Sequence, residues 1–340
     1  GKRSLSMANR DDEVDAFDAM MGIDADEFAT LLDDAEDSSD ADDADDAPKL
    51  HRGGVPVLDL PDVTPEEFHR RFLATRSPVV LRDVRRECAP AHLGCRHLRE
   101  RYGDVVVPLD ITDTNRRDVR LADFLDAVAS TSESGGDEGA DDLRKRYLRN
   151  LQMHEHFPAE AAQLSLPTCF GENMLRDERK VPRCPENWRR WFELFVCHPR
   201  CAGFPFLHKD TCHVHAASFQ LEGRKRFTLF HPDDSPFLYP IGNTGCRSRI
   251  DPEAFGSGGT TSEILGRFPA LASARRMVCD VGAGEILFVP ADWWHTARAI
   301  GTASSVSVAA SFVDAQGLEA FLDAYGEFEA MRSLVEHGAG

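Results

Sequence analysis

Apolar and polar positions divide the chain into three stretches. Over residues 1–50, Val14, Phe17, Met20, Met21, Phe28, Leu31 and Leu32 interrupt a run dominated by Asp, Ala and Ser. So few apolar side chains cannot offset the entropy of ordering a segment, and the composition predicts a disordered acidic tail. Their loosely helical spacing also fits a short acidic helix that docks on a basic or apolar partner. From His51 the pattern predicts short strands and helices in alternation. Residues 55–58 read as a strand. Thr64-Pro65-Glu66-Glu67 reads as a helix start, with Thr64 as cap, Pro65 in the first turn and Glu67 closing a capping box; that helix stops before Ser77-Pro78. A strand over 78–84, a helix over 92–102, a strand over 104–109 and an amphipathic helix over 121–128 follow. Residues 130–142 are polar and Gly-bearing and predict a loop. A strand resumes at Tyr147.

From Trp188 the period changes to two. The runs WFELFVC, PFLHKD, AASFQLE, RKRFTLF, RMVCDV, EILFVP, HTARAI and SVSVAASF each read as a strand, and Gly203, Gly223, Pro232, Gly282, Gly284 and Pro290 punctuate them. Many short strands with such turns predict a mainly β sandwich or barrel. Residues 316–336 return to helical spacing and predict a C-terminal helix. The expected organisation is an acidic tail over 1–50 and one domain over 51–340, with a barrel core over about 188–314.

Charge changes the picture little. The 340 residues carry a formal net charge of −19. Residues 11–46 hold seventeen acids and no Lys or Arg, so residues 47–340 keep only a modest negative balance. No run of 18 or more apolar residues is present, so no membrane span is expected, and no secretory signal is visible. Nine Cys without a CxxC pair predict free thiols in a reducing compartment, nucleus or cytoplasm.

The candidate chemistry lies in LHKDTCHVHAASFQLEGRKRFTLFHP. On an extended strand His208 and Asp210 would point to one face. His295 lies far downstream in GEILFVPADWWHTARA, on a late strand that a jelly roll can return beside an early one. Two His and one carboxylate with open positions are the donor set of non-haem Fe(II) oxygenases. Lys225, on a strand interior, either snorkels to solvent or meets an anion. His213-x-His215 is expected as solvated loop histidines, with a second metal site, or a metal cupin completed by Glu222, as alternatives. Cys197, His198 and Cys201 present three zinc-capable groups, with buried thiols as the competing reading.

Together the His208-x-Asp210 pair, the following G-R-K-R and the GEILFVPADWWH run resemble the JmjC-domain, cupin-like Fe(II)/2-oxoglutarate oxygenases. The upstream VPVLDL…PEEFHRRF…SPVVLRDV segment looks like that family's N-terminal region. The resemblance implies a double-stranded β-helix with helices before and outside it. It implies Fe(II) on His208, Asp210 and His295, and Lys225 on the distal carboxylate of 2-oxoglutarate, with the Tyr147 hydroxyl beside it. Ser218 and Ser307 fall where relatives place co-substrate contacts, and Ser311 where others place an Asn. The implied reaction consumes O2 and 2-oxoglutarate, yields succinate and CO2, and hydroxylates or N-demethylates a protein side chain. Basic partners such as histones or ribosomal proteins suit the acidic tail, and no direct nucleic-acid binding is expected. Where many relatives carry a Thr before the first His, this chain has Pro205, which has no donor. The competing reading is a weakly active barrel acting as a scaffold through its tail.

Overall fold

The computed structural model describes residues 51–110, 116–129, 138–181, 186–189, 191–242, 245–255 and 262–327. The expected tail over 1–50 lies outside them. Within them fifteen strands form two main sheets and two small hairpins. The strands are β1 (His51–Gly54), β2 (Val57–Asp59), β3 (Val79–Arg82), β4 (Val106–Leu109), β5 (Arg117–Arg120), β6 (Tyr147–Gln152), β7 (Phe192–Cys197), β8 (His215–Glu222), β9 (Arg224–Phe230), β10 (Pro240–Ile241), β11 (Arg247–Ser248), β12 (Arg275–Gly282), β13 (Ile286–Val289), β14 (Trp294–Ala299) and β15 (Ser305–Phe312). The larger sheet runs β2-β3-β13-β8-β15-β7-β6 and the smaller β1-β12-β9-β14.

Alternation along each strand sorts the side chains into two cores. Between the sheets, Ala216, Leu287 and Val289 of the larger one meet Phe227, Leu229, Cys279 and Val281 of the smaller one. The opposite face of the larger sheet, with Phe219, Phe288, Val308 and Phe312, packs under helices contributing Phe68, Leu98 and Phe124, and under Phe157 between two short helices. The first of these helices starts as its capping residues require: Thr64 accepts from the Glu67 amide at 3.2 Å, and the helix Pro65–Phe68 continues through His69–Leu73. The whole is a jelly-roll core with helices against one sheet.

Three expectations need correction. PFLHKD is not a strand: His208 makes single bridges to Arg247 and His295, and flanking backbone bonds go to different elements. Pro205 removes a ladder donor and Gly203 turns the chain at φ 110°, so no continuous pairing forms. Residues 138–142 belong to a helix, Glu138–Lys145, rather than to the loop, while 130–137 lie outside the described residues. The helix expected over 92–102 starts at Cys95. The C-terminal helix occupies 318–327, residues 316–317 form the turn before it, and 328–336 lie outside the described residues.

Candidate metal centre

His208 and His295 are joined through their backbones. His208 N–H donates to the His295 carbonyl at 3.1 Å, and His295 N–H donates back at 2.6 Å. This closed pair sets the two rings side by side, centroids 4.3 Å apart. Asp210 follows at the next bend. Its Oδ1 lies 3.8 Å from His208 Nε2 and its Oδ2 lies 4.0 Å from His295 Nε2. One ligand atom from each of the three falls within 4.8 Å of the others. Ligands about 2.0–2.2 Å from one ion stand roughly 3–4 Å apart, so only a small closure is needed.

The ring tautomers suit a cation. His208 Nδ1 lies 3.4 Å from the Phe206 carbonyl and His295 Nδ1 lies 3.0 Å from the Trp293 carbonyl. A carbonyl only accepts, so each Nδ1 carries the proton and each Nε2 turns a lone pair toward Asp210. Burial holds the His208 imidazole well below its usual pKa; the neighbouring His295 ring, Arg247 and Arg149 push the same way. Burial raises the Asp210 carboxyl, and His295 opposes that. Two imidazoles turning Nε2 toward one carboxylate form a donor set that suits a divalent ion.

Lys225 lies deeper between the sheets. On the β9–β14 ladder it sits opposite Ala299, while His295 sits opposite Leu229. The two are thus on one face, four residues or about 13 Å of strand apart. Lys225 is only 3% exposed. Its ammonium donates to Ser307 Oγ at 2.7 Å and lies 5.1 Å and 5.4 Å from the ring centres of Phe195 and Tyr147. Burial lowers its pKa from 10.5 to about 8, and the thiols of Cys197 and Cys201 push it back up. Among the described residues no carboxylate pairs with it, so the pocket offers a desolvated cation to an anion. Burial raises the Tyr147 hydroxyl well above its ordinary pKa, keeping it a neutral donor.

The structure therefore brings Lys225, Tyr147 and Ser307 into one pocket. Ser218, opposite Leu287 and Ala309, and Ser311, opposite Ala216, face the same interior, but neither makes a hydrogen bond to Lys225. Pro205 is exposed.

The remaining histidines differ from expectation. His215 is fully buried: its Nδ1 accepts from the Ala291 amide at 3.0 Å, its Nε2 lies 3.4 Å from Asp314, and Phe288 and Phe312 flank its ring. The apolar strand start, not a solvated loop, claims it. His213 does reach the surface, and Asp292 holds it at 2.8 Å, raising its pKa. Glu222 sits at the opposite end of β8 from His215, so the three form no metal cluster. Cys197 and Cys201 are buried thiols beside Lys225, as the competing reading had them, and with His198 they form no metal cluster among the described residues. His92, His97 and Glu160 do meet the spacing of a metal site. There, however, Glu160 already accepts from His97 at 2.8 Å and from Tyr102, and Arg101 stands 3.6 Å away, so the set is complete as a hydrogen-bonded network.

Several residues at the opening were not singled out from sequence. Glu193 on β7 accepts from Gln152 at 2.8 Å and from Asn150 at 3.4 Å. Burial, with the charge of Asp210 as a smaller contribution, raises its carboxyl to about 7. On the His208 side, Phe204 stacks on the His208 ring, and the guanidiniums of Arg247 and Arg149 lie 4.0 Å and 6.0 Å from the Phe206 ring centre. The one signal for Glu193 is an acid inside an otherwise apolar strand run.

Comparison with known proteins follows the same lines. The family model described as a cupin-like domain matches residues 65–312. HSPB1-associated protein 1 of Bos taurus is 36% identical over 113 residues, 32% of this chain and 20% of that protein. The chain thus spans about a fifth of the length of that relative. tRNA wybutosine-synthesizing protein 5 of Mus musculus is 38% identical over 260 residues, covering 71% of this chain and 73% of that one. Lysine-specific demethylase 8 of Xenopus tropicalis is 26% identical over 276 residues, covering 74% and 54%. With the jelly-roll core and the matched span agreeing, the chain belongs to the cupin-like domain family, of the JmjC type.

Proposed function

We propose that the chain is an Fe(II)- and 2-oxoglutarate-dependent dioxygenase that hydroxylates or N-demethylates a protein side chain. The observation that carries this reading is one interior lined at two depths: a His208/Asp210/His295 donor set near the opening, and a buried Lys225 ammonium behind it. That spacing suits a five-carbon diacid, one end at the metal and the other at a cation. When bound, iron would supply oxidation of a substrate C–H by O2 coupled to decarboxylation of the co-substrate, with succinate and CO2 released. The chain's own residues do the rest. His208, Asp210 and His295 would hold the ion. Lys225 and Ser307 hold the distal carboxylate, Tyr147 adds a neutral donor, and Phe195 and Ala299 keep water from that end. The carbonyls of Phe206 and Trp293 fix the imidazole orientation.

Succinate release from 2-oxoglutarate, with Fe(II) and in its absence, tests the reading; His208→Ala is the control. Iron-dependent release that the control abolishes is the expected result. Mass spectrometry of proteins that co-purify with the chain should then find a mass gain of one oxygen or a loss of one methylene. No release with protein that has taken up metal would favour the scaffold reading.

A further inference from the structure

Along β7 every second side chain faces the interior. Phe195 lies over the Lys225 ammonium, and Glu193 is the next interior residue toward the opening, about 7 Å further on. It stands opposite Ala309 on one side and Gln152 on the other. The β6 strand is irregular here: its register shifts between Leu148 and Leu151, and Asn150 takes φ 55°. Such a bulge re-aims a side chain, and this one turns the Asn150 amide onto Glu193. Gln152 supplies the second amide donor. Among the described residues no Lys or Arg pairs with Glu193, and the nearby charge of Asp210 has the same sign. A partly buried carboxylate that meets only neutral groups, Trp191, Asn150 and Gln152, and has no cationic partner is placed to accept from a cation. Glu193 is outside the ligand set, so a metal on Asp210 would leave its oxygens free to accept from a ligand.

We propose that Glu193, steadied by Asn150 and Gln152, receives the cationic end of the substrate's target side chain, an alkylammonium or guanidinium, beside the metal. The inference rests on the oxygenase reading and narrows its substrate to a lysine- or arginine-type side chain.

The test loads the full chain with Mn(II) and N-oxalylglycine and titrates blocked Gly-Gly-Xaa-Gly-Gly peptides with Xaa as Lys, Arg, norleucine, Gln or Glu. Binding is read from the relaxation of Xaa side-chain protons by the paramagnetic ion. The Lys or Arg peptide should bind at least about tenfold more tightly than the norleucine peptide, a difference of ~1.4 kcal/mol. Glu193→Gln should remove that preference, and Glu193→Asp should retain part of it. Equal binding of all peptides, preference for the Glu peptide, or a cation preference that survives Glu193→Gln overturns the inference. Circular dichroism of both variants separates loss of recognition from loss of folding. Failure of the wild-type chain to take up Mn(II) and N-oxalylglycine would instead overturn the oxygenase reading, and the inference with it.

Discussion

Asp210 is the one charged group of the triad, and its value to a cation comes from its environment. The side chain is 28% exposed, enough for a ligand to reach it, yet burial still raises its carboxyl. Asp210→Ala should therefore lose stoichiometric Mn(II) binding by calorimetry and all iron-dependent succinate release; unchanged turnover would remove it from the triad. Lys225 offers a sharper measurement. Lys225→Ala should weaken 2-oxoglutarate binding by about 1.5–3 kcal/mol, the scale of a hydrogen bond to a charged group. The pH dependence has a definite sign. The pKa of Lys225 is lowered from 10.5 to about 8 by burial, with Cys197 and Cys201 opposing, and Tyr147 stays neutral beside it. Below about 8 the ammonium is charged and ready for a carboxylate, at a cost to the ligand-free fold that is relieved as pH rises from about 8 toward 10.5. Apparent affinity for the co-substrate should thus be flat up to about pH 8 and then fall by roughly tenfold per unit. Isothermal titration across that range checks it, and a profile unchanged in Lys225→Ala would assign the slope to another group. At this scale the donor types of the triad were legible, because His-x-Asp and the late His carry their chemistry in a spacing. Glu193 was not: its partners Asn150, Gln152 and Asp210 come from other segments, and only pairing of β6 with β7 assembles them.

Elements were more legible than the bends between them. Period-two runs marked β7, β8, β9 and β12 to β15 because each has one face in a core and a different face in another, so alternation survives in the sequence. PFLHKD showed the same alternation and yet forms no strand, since Pro205 and the Gly203 turn break the pairing that alternation alone cannot report. One bend ties the element scale to the site. Gly223 passes the chain from β8 in the larger sheet to β9 in the smaller, at φ 68°, and a Cβ there would meet the Ser304 carbonyl oxygen at 2.2 Å. The obstacle is the Ser304–Ser305 backbone, which cannot swing aside as a side chain would. Gly223→Ala should destabilise by about 1–3 kcal/mol in urea unfolding and, because Lys225 is two residues on, also weaken 2-oxoglutarate binding. A loss of stability with unaltered affinity would show that the corner does not position the lysine. Phe288 tests the other core. It packs on Phe68 and Phe170 and is fully buried, so Phe288→Ala should cost about 3–5 kcal/mol. A cost below about 1 kcal/mol would mean that the helices are only loosely fastened to the larger sheet.

At the scale of the whole molecule, charge is divided in an unusual way. Seventeen acids within residues 11–46 stand without a base, while the remainder is close to balanced. Those residues lie outside the described ones, and their charge acts whatever their conformation. A dense single-sign segment sets up a field that solvent screens within about 8–10 Å at physiological salt. We expect such a segment to attract basic surfaces, those of histones and ribosomal proteins among them; among the described residues, the groups at the metal centre and around Lys225 belong to residues 147–307. We therefore expect deletion of residues 1–50 to leave 2-oxoglutarate turnover in the absence of substrate intact. Capture of basic proteins should fall in the same variant, and raising the salt on the full chain should reproduce that loss. These two measurements part the tail's role from that of the site opening: Glu193→Gln acts on selection of the target side chain at any ionic strength, whereas tail deletion acts on encounter and only at low salt. If the shortened chain loses basal turnover, the tail is a working part of the domain. If it captures basic proteins as well as before at low salt, the seventeen acids are not a tether, and the binding surface must be sought on the domain itself.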